Sequence, residues 1–353
     1  DGNSKKFDSG VSLLDVAKSI SEGLARVAIA AKVNDELVDL SNTITTDANV
    51  EIITSKSEES LDILRHTTAH VFAQALLRLF PEAKITIGPS TESGFFYDVD
   101  YEDLTEDKLP SIEKEMQKII KEDLKIEKNF KSRDDALKYF YNNAYKQEII
   151  DAIASGNLSE EEKGEGTIEG DKFQFYKQGE FEDLCRGPHL PRTGMIKAFK
   201  LEKITRAYWR GNSDNKQIFR VYGSAFWKKT DMDSYYEMLE EAKKRDHRTV
   251  GKQMGLFMNH EYAPGMAFFL PKGFVVYREL QKFIREQYRI QDYKEVMTPN
   301  MFNHKLWEIS GHAEKYADDM FTLDVDGQSF SLKPMNCPSH CLIFKNDFKS
   351  YRE

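Results

Sequence analysis

The stretch that most constrains this chain runs from Leu61 to Phe80, LDILRHTTAHVFAQALLRLF. Leu64, Val71, Ala75, Leu76 and Leu79 recur at helical spacing, which predicts an amphipathic helix closed by Pro81. His66 and His70 stand four apart, so their imidazoles share one face, a turn apart. Far downstream, CRGPH repeats the interval: Cys185 and His189 lie four apart in a Gly/Pro-bearing loop. A lone histidine on a helix usually packs or faces water. Two pairs together point to a shared site. Zinc takes four such N/S donors in a tetrahedron. The same side chains, with a carboxylate, also suit a metal-free site in which imidazoles activate water and the thiol lines the cavity. Spacing alone does not separate these two readings.

Composition sets the outer limits. A chain of 353 residues is expected to hold two or three domains. It is 40% hydrophobic and 31% charged. It has no apolar run near the roughly 20 residues that span a bilayer, so a globular protein without a membrane partner is expected. Three cysteines, Cys185, Cys337 and Cys341, make no disulfide framework and fit a reducing, cytoplasmic setting. The net charge of -9 argues against a general nucleic-acid coat but leaves room for local basic patches. No signal peptide is visible; the chain opens on Asp1 and stops at SYRE, so a fragment is expected.

Residues 1–56 read as a small α/β unit. A helix is predicted over Leu13 to Ser21 with Ser12 as N-cap. Strands are predicted in ARVAIAAKV and ELVDL across an Asn34-Asp35 turn, with a third over Val50 to Thr54. A β-grasp packing suits this mixture, and nothing in it carries chemistry. After the His66 helix, strands are expected at Ile85 to Ile87 and Phe95 to Val99, with Phe95, Phe96 and Tyr97 as core. Helices are expected over Leu109 to Asp123 and Asp134 to Ile153. SGNLSEEEKGEGTIEGD is too acidic to cradle phosphate and reads as a surface connection. FQFYKQG makes a strand ahead of FEDLCRGPH, where Asp183 precedes Cys185 by two. Tyr208, Trp209 and Arg210 either pack or face an RNA end.

From Asp233 one long helix is predicted to about Met254. Its basic half, with Lys243, Lys244, Arg245, Arg248 and Lys252, suits either solvent or a phosphate backbone. The last third predicts a helix over Lys272 to Tyr288 and a strand in KEVMTPNMF, demoted to an edge by Pro299. A short helix, a hairpin turning at Asp326-Gly327 and a helix after Pro338 complete it. Cys337, between Pro334 and Pro338, is expected on a rigid loop.

Several motifs together resemble the bacterial-type threonyl-tRNA synthetases, over essentially the whole chain. RHTTAH and DLCRGPH resemble that family's editing motifs, and YWRGN its YWRGD, with Asn212 replacing the aspartate. RDHRTVGKQM resembles its linker helix, YKEVMTPNMF its class II motif 1, and LKPMNCPSH the segment bearing the first zinc ligand. Alanyl-tRNA synthetases share the paired His/Cys pattern but not the Cys337 segment.

The resemblance implies an α+β multidomain protein. It would comprise a β-grasp TGS domain (1–56), an α+β editing domain (57–232), a linker helix (233–254) and the start of a class II antiparallel-sheet catalytic domain (255–353). It implies a threonine–tRNA ligase using ATP with Mg2+, threonine and tRNA(Thr), with Zn2+ in the catalytic domain and homodimerisation through motif 1. Serine differs from threonine by one methyl, worth only about 1–3 kcal/mol, so a second, hydrolytic site must remove serine from mischarged tRNA. The implied editing pocket is His66, His70, Lys146, Asp183, Cys185 and His189. The preferred water-activating group is His70, with Lys146 and Asp183 orienting the substrate. Met335, Tyr208 and Arg210 are the implied substrate contacts, and Cys337 the first of three zinc ligands, the other two lying further on. Since SYRE is where motif 2 would begin, this chain is expected to edit without aminoacylating. The rivals are a stand-alone or alanine-type trans-editing hydrolase, and a non-catalytic RNA-binding derivative of a synthetase.

Overall fold

In the computed structural model, which describes residues 4–158, 162 and 166–346, the first helix, Leu13–Ile20, starts at its predicted cap. Ser12 Oγ accepts the Asp15 N–H at 3.1 Å, and Leu13, Val16 and Ala17 are buried. Asn34 and Asp35 both adopt positive φ, 49° and 69°, the geometry of a tight turn whose twist matches a hairpin. It joins Ala28–Val33 to Glu36–Asp39, and Val50–Thr54 pairs on the other side of Ala28–Val33 in an antiparallel three-stranded sheet. The strand predicted from Ala25 starts late. Ser21 Oγ accepts the Leu24 N–H at 3.0 Å and nucleates a second helix, Glu22–Val27, over its first residues.

Strand Ala28–Val33 is buried from both sides. Ala28 and Ala31 pack with Leu13, Ala17 and Leu40, whereas Ile29, Ala30 and Ile53 join the core around the histidine-bearing helix. A register shift between Ala28 and Ala30 accommodates this double burial.

That helix, Ser60–Leu79, was expected to be amphipathic, yet fourteen of its twenty residues are buried. It is wrapped by the Leu109–Glu122 helix, by the Phe95–Asp100 sheet and by the N-terminal strands, so its small residues Ala69, Ala73 and Ala75 pack as core. One antiparallel sheet runs in the order Ala198–Tyr208, Gln217–Phe226, Phe95–Asp100, Lys84–Ile85. A second runs Phe181–Leu184, Lys172–Gln178, Ile126–Lys131, with Ile168–Glu169 beside Lys172–Phe173. This is the mixed α+β architecture expected.

Two predicted long helices are broken, each at a residue that caps better than it continues. Asp134 to Ile153 divides into Arg133–Tyr139 and Ala144–Ser155, where Asn143 Oδ1 accepts the Lys146 N–H at 3.3 Å. Asp233 to Met254 divides into Lys229–Lys244 and His247–Gln253, where Asp246 accepts the Arg248 N–H at 2.8 Å. The acidic connection over 155–171 lies partly outside the described residues.

The chain divides into two compact units, Asp1–Lys244 and Arg245–Glu353. The second contains the helix Pro271–Ile290 and a three-stranded sheet of Met301–Asn303, Gln328–Leu332 and Thr322–Val325, with the hairpin turning at Asp326-Gly327. The expected strand from Lys294 begins only at Met301, after Pro299, which has no N–H for a ladder. Cys337 opens the helix Cys337–Asn346 instead of standing on a loop, because Pro338 suits a first helical turn. Among the described residues no helix is long and apolar enough to cross a membrane.

Candidate active site

The helix Ser60–Leu79 presents His66 and His70, and the loop after strand Phe181–Leu184 brings Cys185 and His189 to them. One ligand atom from each of the four lies within 4.8 Å of the others. His66 Nε2 is 2.9 Å from Cys185 Sγ, which is 3.2 Å from His189 Nε2 and accepts the Gly187 N–H at 3.2 Å. The His70 and His189 rings are 4.2 Å apart between centroids, and His66 stacks on His189 at 4.6 Å.

Thr67 settles the His189 tautomer. Its hydroxyl donates to the Ile63 carbonyl at 2.8 Å, so its oxygen accepts both the Leu190 N–H at 3.0 Å and His189 Nδ1–H at 3.2 Å. Assigned from that network, His189 Nε2 carries a lone pair facing the thiol. Burial pushes the His66 pKa below the usual imidazole value and those of His70 and His189 well below it. The His66 imidazole and the Lys146 ammonium push His70 further the same way. All three rings are therefore neutral near pH 7. Among the described residues, His70 is the one of the three whose ring makes no hydrogen bond, while His66 and His189 are held.

Lys146 and Asp183 form a fully buried pair beside the cluster. Lys146 Nζ lies 2.9 Å from both carboxylate oxygens. Tyr97 donates its hydroxyl to Oδ2 at 2.9 Å and the Leu184 N–H donates to Oδ1 at 2.8 Å. Three donor groups thus make four contacts, which fill the roughly four acceptor positions of a carboxylate. Asp183 is thereby committed to fixing Lys146.

The donor types of the cluster, three imidazoles and a thiol, fit zinc. Two of its N···S distances, 2.9 and 3.2 Å, are shorter than the roughly 3.5 Å between N and S donors about a tetrahedral zinc, while the four ligand atoms together spread over up to 4.8 Å. Cys337, in the second unit, is exposed and belongs to no group of three or more candidate ligands among the described residues. One thiolate does not hold zinc. Met335 is also exposed there.

Tyr208 and Arg210 are not brought into the cluster by any contact among the described residues. Tyr208 is exposed, and Arg210, at φ 56°, donates to Glu162 at 2.7 Å beside Glu148. Residues that sequence reading left out include Thr67, Tyr97, Tyr176 and Asp39. Tyr97 was read as core, and its ring is; the hydroxyl at its end was the signal, since a buried phenol needs a partner.

The family described as TGS domain matches residues 1–54, and the family described as Threonyl and Alanyl tRNA synthetase second additional domain matches residues 174–222. The threonine–tRNA ligase of Thermotoga sp. (strain RQ2) is 47% identical over 358 residues, covering 100% of this chain and 53% of that protein. That of Clostridioides difficile (strain 630) is 46% identical over 356 residues, covering 100% and 54%. Among solved structures, the RNA binding domain of threonyl-tRNA synthetase from Cryptosporidium parvum Iowa II is 46% identical. It covers 31% of this chain and 28% of that chain, with a TM-score of 0.30. The chain spans about half the length of the curated relatives it matches. Its matches to the TGS domain and to the second additional domain of threonyl and alanyl enzymes thus lie in a chain that along its whole length is similar to threonine–tRNA ligases.

Proposed function

We propose that the His66, His70, Cys185, His189 cluster, with Lys146 and Asp183, hydrolyses the ester of serine wrongly attached to tRNA(Thr). The observation that carries this reading is the meeting of two His/Cys pairs, remote in sequence, beside a buried ammonium–carboxylate pair. Neutral His70 takes a proton from water as the oxygen adds to the seryl carbonyl. The tetrahedral intermediate then collapses, and the ribose oxygen leaves with that proton. Serine and tRNA with a free hydroxyl result. His66, Cys185 and His189 hold the wall against which the water is placed. Lys146 orients the seryl group and its ester oxygen, and Asp183 acts chiefly by fixing Lys146.

The larger protein to which such a chain corresponds would attach threonine to tRNA(Thr), using ATP with Mg2+ and a zinc ion in its catalytic domain. Cys337 would supply that zinc's first ligand, with Met335 beside the threonine. Tyr208 and Arg210 would meet the tRNA end. Dimerisation through the segment around Pro299 and a cytoplasmic location belong to the same reading. So does the division into 1–56, 57–232, a linker over 233–254 and 255–353.

The test is serine release from seryl-tRNA(Thr) by the purified chain. His70→Ala is expected to slow it about a hundredfold or more. An undiminished rate in that variant refutes the assignment.

A further inference from the structure

The N-terminal module sends one side chain to the edge of the cluster. Asp39 ends the strand Glu36–Asp39, which lies at the border of the N-terminal sheet. Its Oδ1 accepts the His189 backbone N–H at 3.2 Å and its Oδ2 accepts the Tyr176 hydroxyl at 2.5 Å. Lys128 stands 4.0 Å from the same Oδ2. The Tyr176 ring meets the His189 imidazole edge to face, centroids 4.5 Å apart. Its hydroxyl also abuts Gly187, where an added Cβ would sit 2.0 Å away. Gln174 completes the clamp, donating to the Arg186 carbonyl at 2.6 Å. The loop carrying Cys185 and His189 is thus gripped by Asp39, Tyr176 and Gln174 as well as by Thr67 of the histidine helix. The grip originates in a part of the chain whose sequence offers no chemistry of its own.

We infer that Asp39 is a positioning residue for the hydrolysis: directly, and through Tyr176, it sets the ring of His189 and with it the Cys185 sulfur and the surface His70 packs on. This rests on the hydrolytic reading above. A side chain serving only to hold two modules together would change stability when removed and leave the rate of the bound ester alone. A positioning residue changes the rate, because misplacement of about 1 Å at reacting groups can cost about a hundredfold.

The experiment measures kcat and KM for serine release from seryl-tRNA(Thr) by the full chain, alongside its thermal melt. Asp39→Ala is expected to lower kcat about ten- to a hundredfold with KM changed less than about twofold. Asp39→Asn keeps an oxygen for the His189 N–H and is expected to stay within about threefold of the unmutated chain. Tyr176→Phe removes one oxygen and carries the test should Asp39→Ala not fold; about a fivefold or greater loss of kcat is expected. The double variant Asp39→Ala/Tyr176→Phe should be no slower than the slower single one, since the Tyr176 hydroxyl acts through the carboxylate that Asp39→Ala already removes. A folded Asp39→Ala, or Tyr176→Phe in its place, with kcat within about twofold of the unmutated chain, or with a loss confined to KM, overturns the positioning role and leaves hydrolysis standing. An unmutated chain that releases no serine removes the hydrolysis itself, and the positioning role with it.

Discussion

At the scale of single residues, the buried pair Lys146–Asp183 carries the largest stake. Lys146→Met leaves the Asp183 carboxylate buried with only Tyr97 and a backbone N–H to compensate it. A loss of about 3–5 kcal/mol is expected, read by urea denaturation. The cluster beside it makes a separate prediction about metal. Because two of its N···S distances are shorter than those about a tetrahedral zinc, prolonged treatment with a strong zinc chelator is expected to leave serine release unchanged. Loss of activity on chelation, restored by zinc, would instead establish the tetrahedral reading. His66 and His70 were legible from their spacing, since an interval of four puts two donors on one helical face, and Cys185 and His189 because CRGPH repeats that interval in a loop. Thr67, Tyr97, Tyr176 and Asp39 were not. Each acts through one oxygen whose partner comes from a distant segment, and no local pattern encodes that.

At the scale of elements, the helix Ala144–Ser155 depends on Asn143, which caps it and also donates to the Ile85 carbonyl at 2.7 Å. Asn143→Ala is expected to cost about 1 kcal/mol or somewhat more, measured by chemical denaturation. Serine release should fall as well, since Lys146 sits in that helix's first turn. The two broken helices show where periodicity misleads. Each predicted helix ran on past Asn143 or Asp246, but both residues bond their own downstream N–H groups more readily than they continue a helix. The hairpins at Asn34-Asp35 and Asp326-Gly327 were readable for the complementary reason: their turn residues tolerate the left-handed backbone the turn demands. The burial of Ser60–Leu79 nearly all round was not readable, because it depends on what surrounds the helix.

At the scale of the whole molecule, stability and cleavage are each predictable. His66, His70 and His189 are neutral in the folded chain and have depressed pKa values, so the unfolded chain binds more protons just below the ordinary imidazole pKa. Their contribution is therefore complete above about pH 6.5 and is lost progressively as pH falls below it. Melting temperature measured from pH 8 down to 5 should decline accordingly, and less steeply in His70→Gln. The division after Lys244, next to the break capped by Asp246, predicts that brief trypsin treatment cuts first at Lys244 or Arg245, leaving a fragment that still releases serine. Strand Ala28–Val33 carries a consequence of its own. Because its two faces serve two different interiors, the N-terminal module is not a detachable cartridge. Exchanging it for a homologue's would re-tailor the seat beneath the histidine helix, so swapped chimaeras should keep their native-like melting only when Ile29, Ala30 and Ile53 travel with their matching counterparts.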